Sequence, residues 1–354
     1  MLKGEGMQMD AVTSPEATLT AVASGSYDLL LMDLNYSGDT TSGREGIDLL
    51  SRVQALDAFL PIIAMTGWGS VDLAVEAMRL GVRDFVQKPW DNTQLVATLR
   101  AEIDQGRARR RRSAEERREL EEARRIQQKL LPASVPQIEG LEIATSWQPA
   151  CGVGGDCFDV IPFGTTRLGV SIADVVGKGI PAALLMSNLQ AAVRAFATEA
   201  TSPAELCHQV NRVLCGHIAE GRFISFFYCL FDSEDGTLAY CNAGHYPPIL
   251  VRADGGIERL AAGGPVLGVF ADGSYEQRQV AMRSGDRLVL YTDGITEARS
   301  SSDEEFGEER LVFEAVTNGS CSAPALQARL AAAVANFTGG RFQDDATLIV
   351  MAVD

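Results

Sequence analysis

Histidine is scarce: three residues in 354, at 208, 217 and 245, and none stands with a cysteine at the spacing of a zinc site. Zinc chemistry is thereby disfavoured. The seven cysteines (151, 157, 207, 215, 229, 241 and 321) form no CxxC pair, and their odd number suits reduced thiols rather than a disulfide framework. Positive charge is short as well. Lys and Arg number 31 against 47 Asp and Glu, and a formal net charge of −16 argues against a nucleic-acid partner held by phosphate contacts. The most apolar stretch, FISFFYCLF (223–231), is far too short to span a bilayer. The opening MLKGEGMQMD lacks a cationic segment followed by an apolar one, so a soluble, cytoplasmic chain with no membrane partner is expected. No Gly-x-Ser-x-Gly elbow supports a Ser-His-Asp hydrolase, and no internal repeat occurs. What is present is 46% hydrophobic and 22% charged sequence, enough for two or three domains with their own cores.

Charge divides the chain more clearly than hydropathy. Residues 105–131, QGRARRRRSAEERRELEEARRIQQKLL, contain strong helix formers, no Pro and no Gly after Gly106, and read as a helical linker between residues 1–104 and 132–354. Glu121 and Arg125 stand at helical spacing, and Leu120, Ala123, Gln127 and Leu130 form a thin apolar seam. A solvated single helix is one reading of it; a coiled-coil homodimer through the linker is slightly favoured. Pro132 and Pro136 stop the helix.

Before the linker, YDLLLMDL (27–34), PIIAMT (61–66) and DFVQKP (84–89) read as strands, with helical stretches between them such as VDLAVEAMRLG (71–81). This is an α/β pattern. In a doubly wound parallel sheet the carboxyl ends of neighbouring strands meet, which would bring Asp33, Thr66 and Lys88 together. An aspartate to accept phosphate, a hydroxyl to bond it and an ammonium to balance it make coherent chemistry. These residues resemble the receiver domain of two-component response regulators over about the first 104 positions, and NYSGDTTSGREGIDLL (35–50) looks like one receiver subtype. The resemblance implies that Asp33 is the phospho-acceptor, Thr66 and Lys88 the switch residues, and a sensor histidine kinase the partner. The family's first strand, ending in paired acids that hold Mg²⁺, is missing, which puts Mg²⁺ binding here in doubt. MQMDAVT (7–13) then has nothing to pair with on that side, and either a truncated chain or a degenerate scaffold accounts for it.

After the linker the pattern changes to short strands, LGVSIAD, FISFFYCLF, LAYCNAG, PPILVRA, RLVLYTD and ATLIVMAV, interrupted early by two helices. The first, PAALLMSNLQAAVRAFA (181–197), is apolar nearly all round and should be covered on most faces. The second is announced by Ser202 as cap, Pro203 at the first position and Glu205 completing a capping box; it should carry His208 and His217. An α+β domain with a strand core and outer helices is expected.

Within it Asp156 stands in VGGDCFD, Asp174 in ADVVGKG, Asp293 in LYTDGITEA, and Asp344 with Asp345 in RFQDDATLIV. Each lies in a turn beside a strand. Acids so placed repel one another unless a cation lies between them, and Mg²⁺ or Mn²⁺ needs only a few carboxylates from separate loops, with a carbonyl such as that of Val175 contributing. For His245, in NAGHYPP, a place near the site is one reading and a turn residue the favoured one.

From about residue 124 to the end, ARRIQQKLLP, VGGDCFD, ADVVGKGIPAALLM, NAGHYPP, TDGITEA and QDDATLIV resemble the SpoIIE/RsbU-type serine phosphatases of bacteria, a branch of the metal-dependent protein phosphatase 2C superfamily. The resemblance implies a β-sandwich flanked by helices and two Mn²⁺ or Mg²⁺ ions held by Asp156, Asp174, Asp293 and Asp344, with Asp345 the less certain of its pair. It also implies a metal-activated water in place of a covalent intermediate, and a phosphoserine substrate on an anti-sigma antagonist protein. The histidine that follows the metal-binding aspartate in many members of the superfamily is absent from ADVVGKG. A non-catalytic phosphatase-fold binding module is the alternative, and the intact acids count against it. A receiver-linked transcription factor lacks a basic recognition helix, since RARRRR falls in the linker.

Overall fold

The computed structural model describes residues 2–34, 44–66, 71–132, 134–136, 138–218 and 221–353, without the side chains of Lys3 and of residues 71–73. The chain divides into two compact units, Met1–Glu119 and Leu120–Asp354.

In the first unit, Ser14 caps α1 (Pro15–Ser24) by accepting the Ala17 N–H at 3.3 Å. There follow β1 (Leu30–Asp33), α2 (Arg44–Leu56), β2 (Ile62–Thr66), α3 (Val71–Arg79), β3 (Val82–Gln87) and α4 (Asn92–Leu130). The strands pair in parallel in the order β1-β2-β3. Met32, Ile62 and Ala64 pack with Leu49, Leu50 and Val53 of α2, while Ile63 and Val86 pack with Leu95 and Leu99 of α4. Burial on both faces is why β1 and β2 are apolar runs rather than alternating ones, whereas β3 keeps exposed Arg83, Asp84 and Gln87. Residues 7–13 form no strand; of the subtype stretch 35–50, residues 35–43 lie outside the described residues.

The helix that contains the linker stretch begins well before 105. The last receiver-side helix runs without a break into that stretch, giving a 39-residue α4. Gly106 is a close-packing site inside the helix, since a Cβ there would lie 2.5 Å from Pro61 Cγ. The arginine run engages acids of its own unit, Arg107 with Asp28 (3.0 and 2.7 Å) and Arg110 with Asp57 (2.5 Å).

The second unit continues through β4 (Leu141–Gln148), β5 (Cys157–Phe163), β6 (Arg167–Val175), α5 (Ile180–Phe196), α6 (Pro203–Leu214), β7 (Ile224–Asp232) and β8 (Thr237–Ala243). Then come β9 (Ile249–Val251), β10 (Ile257–Arg259), β11 (Gly263–Gly264), β12 (Arg278–Ala281), β13 (Arg287–Tyr291), α7 (Asp293–Thr296), α8 (Glu308–Thr317), α9 (Ala323–Thr338) and β14 (Ala346–Val353). One sheet has the order β10-β9-β13-β14-β4; the other has β11-β8-β7-β6-β5, with β12 also on β8. Along β14 the residues alternate: Ile349 and Met351 join the large core that includes β6, β7, α5 and α6, whereas Leu348, Val350 and Ala352 join a second core under α8 and α9. The result is a sandwich with helices on both outer faces.

Ser202 caps α6, its hydroxyl accepting the Glu205 N–H at 3.3 Å, but the helix ends at Leu214, so His217 lies beyond it. Helix α5 is less covered than its composition suggests: Ile180 and Leu184, one turn apart, are 53% and 66% exposed. A helix laid on one sheet beside one other helix can bury only part of its circumference. No helix among the described residues is long and apolar enough to cross a membrane.

Candidate metal centre

In the first unit Asp33 ends β1, Thr66 ends β2 and Lys88 follows β3. The Lys88 ammonium is hydrogen-bonded to Asp33 Oδ2, and the Lys88 N–H donates to the Thr66 carbonyl at 2.8 Å. The structure therefore brings these three residues to the carboxyl edge of the parallel sheet.

In the second unit the acids collect where the two sheets end together. Asp156 precedes β5 and Asp174 is the penultimate residue of β6; the Cys157↔Ala173 pairing puts them side by side. Asp293 opens α7 directly after β13, and Asp344 and Asp345 lie just before β14. Asp156 is buried, and its Oδ2 accepts hydroxyl hydrogen bonds from Thr292 and Thr347, both 2.7 Å. Its Oδ1 is buried with no protein partner. Burial, then the charge of Asp174, pushes the Asp156 carboxyl well above the ordinary range. Asp174 is pushed up to about 7, by burial first and then by Asp293, Asp344 and Asp345. Asp293 is pushed up to about 6, by burial and then by Glu297 and Asp344.

Asp345 is used differently. Its Oδ1 accepts the Ala150 N–H at 2.8 Å and its Oδ2 the Gly155 N–H at 2.6 Å, so it braces the loop that carries Asp156. The Val175 carbonyl faces Gly155, where a Cβ would come within 2.7 Å of its oxygen. Lys178 reaches over the rim and holds Asp344 Oδ2 at 2.8 Å and the Gln343 carbonyl at 2.9 Å.

The donor set fits a hard divalent cation. It is all oxygen, one buried carboxylate oxygen is left without a partner, and an ammonium neutralises the outermost acid. Among the described residues no three His, Cys, Asp or Glu side chains close on one point. Mg²⁺ and Mn²⁺ do not require that, because waters and carbonyls complete a shell begun by one or two carboxylates.

Two threonines at the site carry no signal in the sequence. Thr292 and Thr347 hold Asp156, and the Thr347 N–H donates to Thr292 Oγ1 at 2.9 Å, tying β13 to β14 beside the site. His245 lies in the irregular segment after β8, as a turn reading expects, and is buried beside the site. Its Nε2 lies 3.1 Å from the Tyr291 carbonyl and its Nδ1 2.9 Å from Ser225 Oγ. A carbonyl only accepts, so Nε2 carries the hydrogen and Nδ1 accepts from Ser225. Burial pushes this imidazole down to about 4, keeping it neutral. It thereby braces Ser225, opposite Asp174, to the residue two before Asp293.

The model of the family described as Stage II sporulation protein E (SpoIIE) matches residues 164–354, more than half of the chain. The chain belongs to the SpoIIE family. The response regulator receiver domain matches residues 1–100. This SpoIIE-family chain is 32% identical over 236 residues to the phosphoserine phosphatase RsbU of Bacillus subtilis, covering 66% of this chain and 69% of that protein. It is 30% identical over 263 residues to Protein IcfG of Synechocystis, 66% of this chain but only 41% of that protein's length. Among solved structures, the RsbU and RsbW domains of a Mycobacterium tuberculosis protein align with TM-score 0.56 at 28% identity, covering 63% of each chain. The SiaA-PP2C domain of Pseudomonas aeruginosa aligns with TM-score 0.60 at 21% identity, covering 68% of this chain and 98% of that one, a likeness of fold.

The raised carboxyls have a consequence for the metal-free SpoIIE-family chain. Asp174 and Asp293 have an ordinary value of 3.8 and folded values of about 7 and about 6. Between these limits the folded state holds protons that the unfolded state has released, so stability falls as pH rises through that window. Denaturant midpoints in EDTA are expected to be lower at about pH 8 than at about pH 5, with Mn²⁺ removing the deficit. Equal midpoints at both pH values would contradict the charge crowding.

Proposed function

We propose that this chain is a cytoplasmic, metal-dependent protein serine phosphatase that dephosphorylates a phosphoserine regulatory protein of the anti-sigma antagonist type, under control of its receiver unit. The observation that carries this reading is the buried Asp156, held on one oxygen by two threonines and unpartnered on the other, beside three further acids from separate strands. Asp156 and Asp174 from one sheet, Asp293 and Asp344 from the other, and the Val175 carbonyl would hold two Mn²⁺ or Mg²⁺ ions. When bound, such ions offset phosphoryl charge and lower the pKa of water at the site. The protein's part is positional. The threonines fix the buried carboxylate and Asp345 fixes the loop before it. In the receiver unit Asp33 is the proposed phospho-acceptor, with Thr66 and Lys88 as switch residues and a sensor histidine kinase as phosphate donor. Phosphate release from a phosphoserine anti-sigma antagonist by the full chain, dependent on Mn²⁺ and abolished by EDTA, tests the reading; a folded chain that binds the substrate and releases none would leave a binding module in its place.

Lys178 competes with the cation for Asp344, across a pair in which both side chains are about half exposed. Such pairs are worth ~0.2–1 kcal/mol. Lys178→Met should therefore lower the half-saturating Mn²⁺ concentration by up to about fivefold, read by metal-induced thermal shift. An unchanged or higher requirement would count against the competition.

A further inference from the structure

The amide of Gln127 is buried at 3% exposure on a helix otherwise rich in charge. Its Nε2–H donates to the Gly154 carbonyl at 2.6 Å, and its Oε1 accepts the Gly154 N–H at 3.0 Å. One side chain thus closes both backbone groups of one residue, as a neighbouring strand would. Only a carboxamide of this length brings a donor and an acceptor to that pair, and leaving either group buried and unmet is destabilising.

Gly154 has no freedom to accommodate a change. A Cβ on it would lie 2.2 Å from Asp345 Oδ2, and the next N–H, of Gly155, is already given to that carboxylate. Two residues on stands Asp156, whose own carbonyl accepts the Trp147 indole N–H at 3.0 Å. Loop 150–156 is therefore gripped by Asp345, Trp147 and Gln127, and only the last of these comes from α4.

The seam Leu120, Ala123, Gln127 and Leu130 is the buried or half-buried stripe of this part of α4. Leu120 lies against Gly152 and Gln127 against Gly154, so the stripe faces the unit's own loop. The Leu130 carbonyl, at the end of the helix, accepts from Gln190 Nε2 at 2.6 Å on α5.

We infer that Gln127 is a positioning residue: through its paired hydrogen bonds to Gly154 the end of α4 sets the place of Asp156, and so the readiness of the site for metal. This deepens the reading proposed above and rests on it. Gln127 touches neither substrate nor acid; it acts through the loop, and a turn of α4 about its axis would move that loop directly.

The test uses the full chain and Mn²⁺. Gln127→Met keeps length and helix propensity but removes the amide, and is expected to raise half-saturating Mn²⁺, measured by thermal shift, by about tenfold or more. The kcat for a phosphoserine protein should fall with little change in KM; the melting temperature in EDTA falls as well, because both backbone groups of Gly154 are left unmet, so turnover and Mn²⁺ binding are compared well below it. Gln127→Glu, which keeps the acceptor and loses the donor, should also weaken Mn²⁺ binding and serves if the first variant folds poorly. Gln190→Leu is the control, since it removes a hydrogen bond from the same helix end without touching the loop. Parent-like Mn²⁺ half-saturation in both Gln127 variants, or an equal shift in Gln190→Leu, would overturn the inference. A parent chain that neither binds Mn²⁺ nor hydrolyses phosphoserine would instead bring down the functional reading beneath it.

Discussion

Asp174→Asn is expected to cost Mn²⁺-dependent phosphatase activity about a thousandfold or more, roughly 4 kcal/mol of barrier, while making the metal-free chain more stable than the parent. The two effects have one cause. Asp174 lies beside Asp156 on one sheet and feels the charges of Asp293 and Asp344 from the other, with burial as the largest influence on its carboxyl. A folded value of about 7 against an ordinary 3.8 means that ionising this group above neutral pH works against the fold. The amide keeps the shape and removes the charge, so a gain of about 1–4 kcal/mol in EDTA is expected near pH 8. With Mn²⁺ present the order should reverse, because the parent gains binding energy that the variant has lost. Denaturant melts with and without Mn²⁺, alongside turnover, decide it. A variant less stable than the parent in EDTA, or one with parent turnover at limiting Mn²⁺, would remove Asp174 from the centre.

The acids themselves were legible in the sequence because each stands beside an apolar strand in a segment that cannot bury a charge cheaply. Asp156, Asp174, Asp293 and Asp344 each announce a strand end, and four strand ends of one sandwich meet at few places. What was not legible is what holds them. Thr292 and Thr347 look like ordinary strand-end residues, and they meet Asp156 across 136 and 191 positions of chain. No local pattern encodes that. Gln127 is visible only as a member of an apolar seam, and nothing in that pattern says that its amide meets a backbone loop. His245 stands in an irregular segment as its neighbours suggest, but that both of its ring nitrogens are satisfied inside the fold is not written in the local sequence.

Two helices were also passed over. Helix α9 reads APALQARLAAAVANFT, whose alanines blunt the contrast between faces, although Ser322 as cap and Pro324 in the first turn are start signals of the kind that located α6. Helix α8 follows Gly307 with no side-chain cap, leaving only its apolar spacing to reveal it. In α4 the change of charge near 105 is not a change of element, because the helix runs through it unbroken. Glycine usually weakens a helix interior, but at Gly106 the approach of Pro61 leaves no room for a side chain.

The glycines beside the acids are of two kinds. Gly177 and Gly179 have φ of +104° and +70°, so they turn the chain after Asp174 as the sequence suggests. Gly294, in TDG, is different: it sits in α7 without a positive φ, and a Cβ on it would lie 1.9 Å from the Asp345 carbonyl oxygen and 2.7 Å from its carbon. Both obstacles are backbone, with no side chain to swing aside. Gly294→Ala must therefore push α7, which carries Asp293, away from the start of β14, which follows Asp344. A loss of about 2–4 kcal/mol in stability is expected, with activity reduced at least about a hundredfold even under conditions where the variant is folded. Gly164→Ala is the comparison, since its φ is +68° but nothing lies within 4 Å of its Cβ. There only backbone strain is added, costing about 1–2 kcal/mol with turnover kept. If the two variants lost activity in step with stability alone, or if Gly294→Ala kept parent turnover, the close approach of α7 to β14 would not be what holds Asp293 in place.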